Sequence, residues 1–187
     1  MKKYPIFLFF ISLIFTTLAC SVFIGGPEYP EEQIPVSAEE VVRLKVQIEA
    51  AVLAGAETGQ ITIQITEPQL TSYLAFKMAE RQEPPFTNPQ VFLRDGQMKI
   101  YGRVERGFWN ANVLVTLNVL IDEEGQPKLE IASADFGPFE APNGLKQTLT
   151  AIITEAYTGS LGPVATGFRL ENITIENGQM TVTGLIK

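Results

Sequence analysis

The side chains that most often do chemistry are scarce in this chain. It has no histidine and a single cysteine, Cys20. A Ser-His-Asp triad, a histidine general base and a histidine-containing zinc site are therefore excluded. One cysteine allows no internal disulfide and no thiolate cluster for zinc or iron–sulfur. Asp122, Glu123 and Glu124 are adjacent carboxylates that could bind Ca²⁺ weakly. They stand beside Gly125, however, where acidic residues are routine in a solvated turn. Ser72, Ser133 and Ser160 have no base signature nearby. Gly102-x4-Gly107 and Gly159-x2-Gly162 lack the strand, glycine loop and helix order of a phosphate loop. Arg103 and Arg106, near Trp109, fit a solvated strand end better than a site for an anionic headgroup. A net charge of −7 argues against nucleic acid, which calls for a basic patch. The residues thus lead us to expect no enzyme: no catalytic residue, no metal and no cofactor.

Cys20 is the exception, because of what precedes it. Lys2 and Lys3 are followed by an apolar run from Ile6 to Ala19, which has the layout of a signal peptide and is short for a membrane span. The run ends in Thr16-Thr17-Leu18-Ala19-Cys20, which looks like a bacterial lipobox. The plainer alternatives are a transmembrane anchor, or a cleaved signal with an incidental cysteine. The position of the only cysteine favours lipidation of Cys20, with residues 1–19 removed. Two or three acyl chains on one residue anchor a protein stably, where one chain alone binds marginally. The expected location is extracytoplasmic, on a bacterial membrane.

Placing such a domain on a membrane calls for a spacer. Residues 20–36 contain Gly25, Gly26, Pro27, Pro30 and Pro35 and read as a tether, about 20–25 Å long if flexible. A single domain is then expected over 37–187, long enough for one substantial core. Ser37-Ala38-Glu39-Glu40 reads as a capping box. The helix after it carries Val41, Leu44, Ile48, Ala51 and Val52 on one face and stops at Gly55 and Gly59. Ile61, Ile63 and Ile65 alternate with polar residues as in a half-buried strand. Thr66-Glu67-Pro68-Gln69 is a second capping box, and its helix is expected to reach about Arg81. A hairpin turns at Asp95-Gly96, a long apolar strand runs from Phe108 to Ile121, and a return strand covers Lys128 to Phe136. A third helix is expected over Asn143–Tyr157, and a last hairpin turns at Asn177-Gly178.

The two outer hairpins align at one constant offset. Gly96/Gly178, Gln97/Gln179, Met98/Met180 and Gly102/Gly184 are identical pairs. Segments 61–104 and 143–186 thus read as a helix–hairpin repeat. Either internal duplication or the independent demands of Asx-Gly hairpins accounts for it. Gly102 and Gly184, both mid-strand, mark either a bend in the sheet or a close helix crossing. The fold class expected is α+β: a curved antiparallel sheet of about six or seven strands against two or three amphipathic helices.

With reactive groups absent, the apolar faces become the candidate site. If the sheet curls and leaves a gap, Leu74, Met78, Val115, Leu117, Leu149, Ile152 and Ile153 would line an apolar groove or tube. If the helices only cover the sheet, the same residues form a closed core. The order of features is similar to a known group. It runs from the Thr66-Glu67-x-x-Leu70 helix start through the Leu93-x-Asp95-Gly96-x-Met98 hairpin and a long apolar strand. A Gly137-Pro138-Phe139-x-x-Pro142 break, a helix and an Asn-Gly hairpin complete it. This order resembles the YpmS-like and LmeA-like envelope proteins, related to the tubular lipid-binding (BPI-like) superfamily, over roughly residues 61–187. The resemblance implies a curved sheet wrapped on helices, with phospholipid or another acyl ligand inside. Two functions follow as expectations. One is an anchored lipoprotein that binds a lipid or other apolar ligand. The alternative is a non-catalytic structural or protein-interaction module of the cell envelope with a closed core. Protein partners are not legible in the residues.

Overall fold

A computed structural model of the chain describes residues 21–158 and 168–186, apart from the side chains of Ile153, Phe168 and residues 156–158. The apolar N-terminal segment expected to be a signal peptide, Cys20 and the Gly/Pro-rich segment 159–167 lie outside the described residues. The described residues form an α+β fold of three helices and eight strands, with the strands curled into a half-barrel.

Helix α1 (Ala38–Thr58) starts at Ser37, whose side chain accepts the N–H of Glu39. Only half of the expected capping box forms. The Ser37 N–H donates to the Ser72 hydroxyl (3.1 Å), and Glu40 pairs with Arg43. The helix ends at Gly59 in the left-handed region, φ +74°. Gly55 does not end it; it lies inside the last turns, where a Cβ would collide with Ile61. Strand β2 (Gln60–Thr66) buries Ile61 and Ile63, as the alternation requires. Helix α2 (Glu67–Ala79) opens on a complete Thr66/Gln69 capping box with Pro68 in its first turn.

Strands β3 (Thr87–Arg94) and β4 (Gln97–Arg106) turn at Asp95 and Gly96, both with positive φ, the conformation that a two-residue hairpin demands. Strand β5 (Trp109–Ile121) is the centre of the first sheet, and β6 (Pro127–Asp135) returns along it. Helix α3 (Leu145–Thr158) packs beside β6. Strands β7 (Phe168–Glu176) and β8 (Gln179–Ile186) pair with β2 in a second sheet, ordered β2-β8-β7. One buried cluster joins both sheets to the helices.

The two outer hairpins share more than their turns. Gln90 pairs with Tyr101 and Asn172 with Thr183, and each hairpin has a register shift just before that pair. Asn177 and Gly178 repeat the positive-φ turn. Gly102 lies opposite the register shift between Thr87 and Gln90, as a bend or bulge in the strand requires. Its absent Cβ also leaves room for the Phe86 ring, so the close neighbour is a ring preceding β3 instead of a helix. Phe168 occupies the corresponding place in the other hairpin, although its side chain is outside the described set. The halves interlock: β2, from the first half, pairs with β8 along Gln60–Thr66 and closes the second sheet.

The stretch expected as a free tether lies along the domain. Strand β1 (Val22–Phe23) runs parallel to Trp109–Asn110 of β5. The N–H of Ile24 donates to the Asn110 carbonyl (2.9 Å), and that of Asn112 to the Gly25 carbonyl (3.0 Å). Asn112 Nδ2 donates to the Pro27 carbonyl (3.0 Å), and the Tyr29 hydroxyl to that of Asn88 (2.7 Å). Gln90 accepts the Ile34 N–H and donates to its carbonyl. A side chain on Gly26 would collide with the Asn112 backbone, and one on Gly137 with the backbone of Gly26. The glycines here serve close approach instead of flexibility. This strap and β6 together occupy one whole edge of β5, leaving it no free ladder.

Candidate functional site

Helix α2 contributes Leu70, Tyr73 and Leu74, and α3 contributes Leu149 and Ile152, to a space roofed by the two helices. The sheet forms its floor with Val91, Met98, Ile100, Leu117 and Leu129. The volume is about 30 Å³. Four of the residues expected to line a ligand tube meet here: Leu74, Leu117, Leu149 and Ile152. Met78 and Val115 are buried in the same core but do not face this space. The side chain of Ile153 is outside the described residues. The elements were placed by periodicity, yet they meet with almost no gap between them.

Polar groups clasp the two helices at the surface. Lys77 Nζ on α2 donates to Glu155 Oε1 on α3 (2.7 Å) and to Glu80 Oε2 (3.0 Å). The hydrogen bonds to Glu155 and then Glu80 hold the Lys77 ammonium well above its ordinary pKa of 10.5. Burial raises the Tyr73 phenol, partly offset by Lys77 beside it.

A second concavity lies between the strap and the α2–β3 junction. Its volume is about 690 Å³, and Tyr29, Ile34, Met78, Phe86, Gln90 and Arg103 are among its walls. It is an open surface groove. Met78 and Phe86 in its walls are buried, while Tyr29 and Ile34 are half-buried. Arg103 stacks over the Tyr29 ring at 4.9 Å, and burial raises the Tyr29 phenol against the lowering effect of that guanidinium.

Several of the reactive-looking groups are engaged in structure. Asp122 Oδ1 accepts the N–H groups of Glu124 and Gln126, so the acidic run is a turn. Among the described residues no three metal-ligating side chains converge. Ser72 accepts from Ser37, and Arg106 stacks on Phe139. Ser160, Gly159 and Gly162 lie outside the described residues. No helix among the described residues is long and apolar enough to cross a membrane.

Pattern reading overlooked a set of buried polar residues at the start of α2. The Thr71 hydroxyl accepts the Val91 N–H (2.9 Å), and Glu67 Oε1 accepts the Leu93 N–H (2.7 Å) while pairing with Arg94. Gln69 completes its capping box and donates to Gln47. The spacing between Glu67 and Thr71 is one helical turn, and Val91 and Leu93 are alternate strand residues. That pairing lets α2 satisfy the outer edge of β3 with side chains. The capping box signalled where the helix starts, but nothing signalled which strand its first turn would cover. No family model, no curated protein and no solved structure matches the chain.

Proposed function

We propose that this chain is a membrane-anchored, non-catalytic module of a bacterial cell envelope that acts through its surfaces and keeps its apolar interior closed. The observation that carries this reading is the interior volume of about 30 Å³. Pockets that hold small molecules run to roughly 300–1,000 Å³. The polar groups support it too. Among the described residues, no buried side-chain nitrogen or oxygen lacks a hydrogen-bond partner, as a closed, fully satisfied interior requires. Anchoring rests on Cys20 at the end of the apolar run. The test is lipid uptake by the domain from Ser21 onward, offered vesicles that contain a fluorescent phospholipid. We expect none; saturable uptake of one lipid per chain overturns the closed-core reading.

A second reading has one observation in its favour. Leu74, Leu117, Leu149 and Ile152 converge on a single apolar space, and the α3 roof is tied to α2 by a surface ion pair. If α3 lifts, a phospholipid or other acyl ligand would enter there, as the resemblance to the tubular lipid-binding superfamily implies. Leu117→Phe and Ile152→Phe would then reduce uptake. On the closed-core reading they change stability alone.

A further inference from the structure

The strap fixes where the domain meets the membrane. Val22 lies beside Trp109, and its N–H donates to the Phe108 carbonyl (2.6 Å). Phe108 occupies the tip of the β4–β5 hairpin, following Gly107, whose φ of +63° suits the first position of a tight hairpin turn. Four large apolar side chains are therefore gathered at one end of the domain. Val22 is 46% exposed, Phe23 57%, Phe108 68% and Trp109 50%. Trp109 is the only tryptophan in the chain. A cluster of exposed aromatic residues is costly in water and favourable at the headgroup level of a bilayer.

The chain's own continuity names the occupant. Val22 is two residues from Cys20, and the apolar run Ile6–Ala19 precedes that cysteine. Whether the membrane is entered by acyl chains on Cys20 or by the apolar run itself, the entry point is next to this cluster. Backbone hydrogen bonds to Ile24 and Gly25 hold the strap to β5, so the domain cannot drift off on a loose linker. The charges near the tip are mixed, with Glu105 and Arg106 closing the hairpin and Arg106 reaching the Glu140 carbonyl (3.5 Å). With a net charge of −7 the attraction does not depend on anionic lipid.

We propose that Val22, Phe23, Phe108 and Trp109 form a membrane-seated foot that inserts into the interface of the bilayer and sets the orientation of the domain. The proposal rests on the reading that the chain is anchored at Cys20. The test uses the full chain reconstituted in phosphatidylcholine vesicles, with Trp109 as the reporter. Flotation of the vesicles checks anchoring separately. With a seated foot, phospholipids brominated near the headgroup quench most of the Trp109 emission, and aqueous iodide quenches little of it. A Phe23→Ser, Phe108→Ser double variant, altered at exposed positions only, still floats but loses the lipid quenching. If the wild-type chain floats while Trp109 is open to iodide and untouched by brominated lipid, the foot is wrong and anchoring stands. If the chain does not float, the anchoring reading fails and the foot fails with it.

Discussion

The Thr71 hydroxyl and the Glu67 carboxylate accept the N–H groups of Val91 and Leu93 on an edge strand that, among the described residues, no further strand pairs with on that side. A buried donor left without an acceptor costs about 1–3 kcal/mol. Thr71→Val keeps the shape and removes the acceptor, so we expect it to lower unfolding stability by that amount in urea titration, with Thr71→Ser close to wild type. Gly102→Ala makes a different demand. Its added methyl would meet the Phe86 ring, and overpacking of this kind costs about 1–3 kcal/mol. A melting temperature equal to wild type would show that Phe86 has another place to go. These residues were poorly legible in the sequence. Thr71 and Ser72 are polar residues in a helix, which ordinarily face water, and only the crossing of α2 over β3 buries them. The apolar positions were easier, because a period of two or 3.6 residues states which face is inside.

At the scale of elements, the turn chemistry and periodicity located every described helix and strand except β1, with boundaries within a few residues. The strap escaped because its contacts run through backbone atoms and a pair of glycines, and composition does not distinguish close approach from flexibility. We expect Gly26→Val to displace it by collision with Asn112, and hydrogen exchange at the Asn112 amide to speed up while the β4 amides that bond to β5 keep their protection. The tie between α2 and α3 makes a prediction in pH. Lys77 is held in its charged form by Glu155 and Glu80, so its folded pKa lies above the unfolded 10.5. The stabilisation is therefore complete below pH 10.5 and is lost as the pH climbs through the folded value. Half-exposed ion pairs contribute about 0.2–1 kcal/mol. Lys77→Gln should melt slightly below wild type at neutral pH and converge with it in strong base. A constant gap across that range would mean the side chain acts by packing.

At the scale of the molecule, the α+β class and the curled sheet were legible from the order of elements. The difference between a tube and a filled core was not, because volume depends on how side chains of two helices interlock over the sheet, and patterning does not record it. Leu74, Leu117, Leu149 and Ile152, expected as the lining of a ligand site, share one inner surface, and that surface is closed to about 30 Å³. On the function we propose, a strap-bound domain with a closed interior acts through its outer surfaces. The most direct test is the native mass of the domain from Ser21 onward, with no added lipid, purified intact from bacterial cells. The closed core predicts the mass of the polypeptide alone. A persistent adduct of phospholipid or fatty-acid mass, lost in Leu117→Phe, would contradict it.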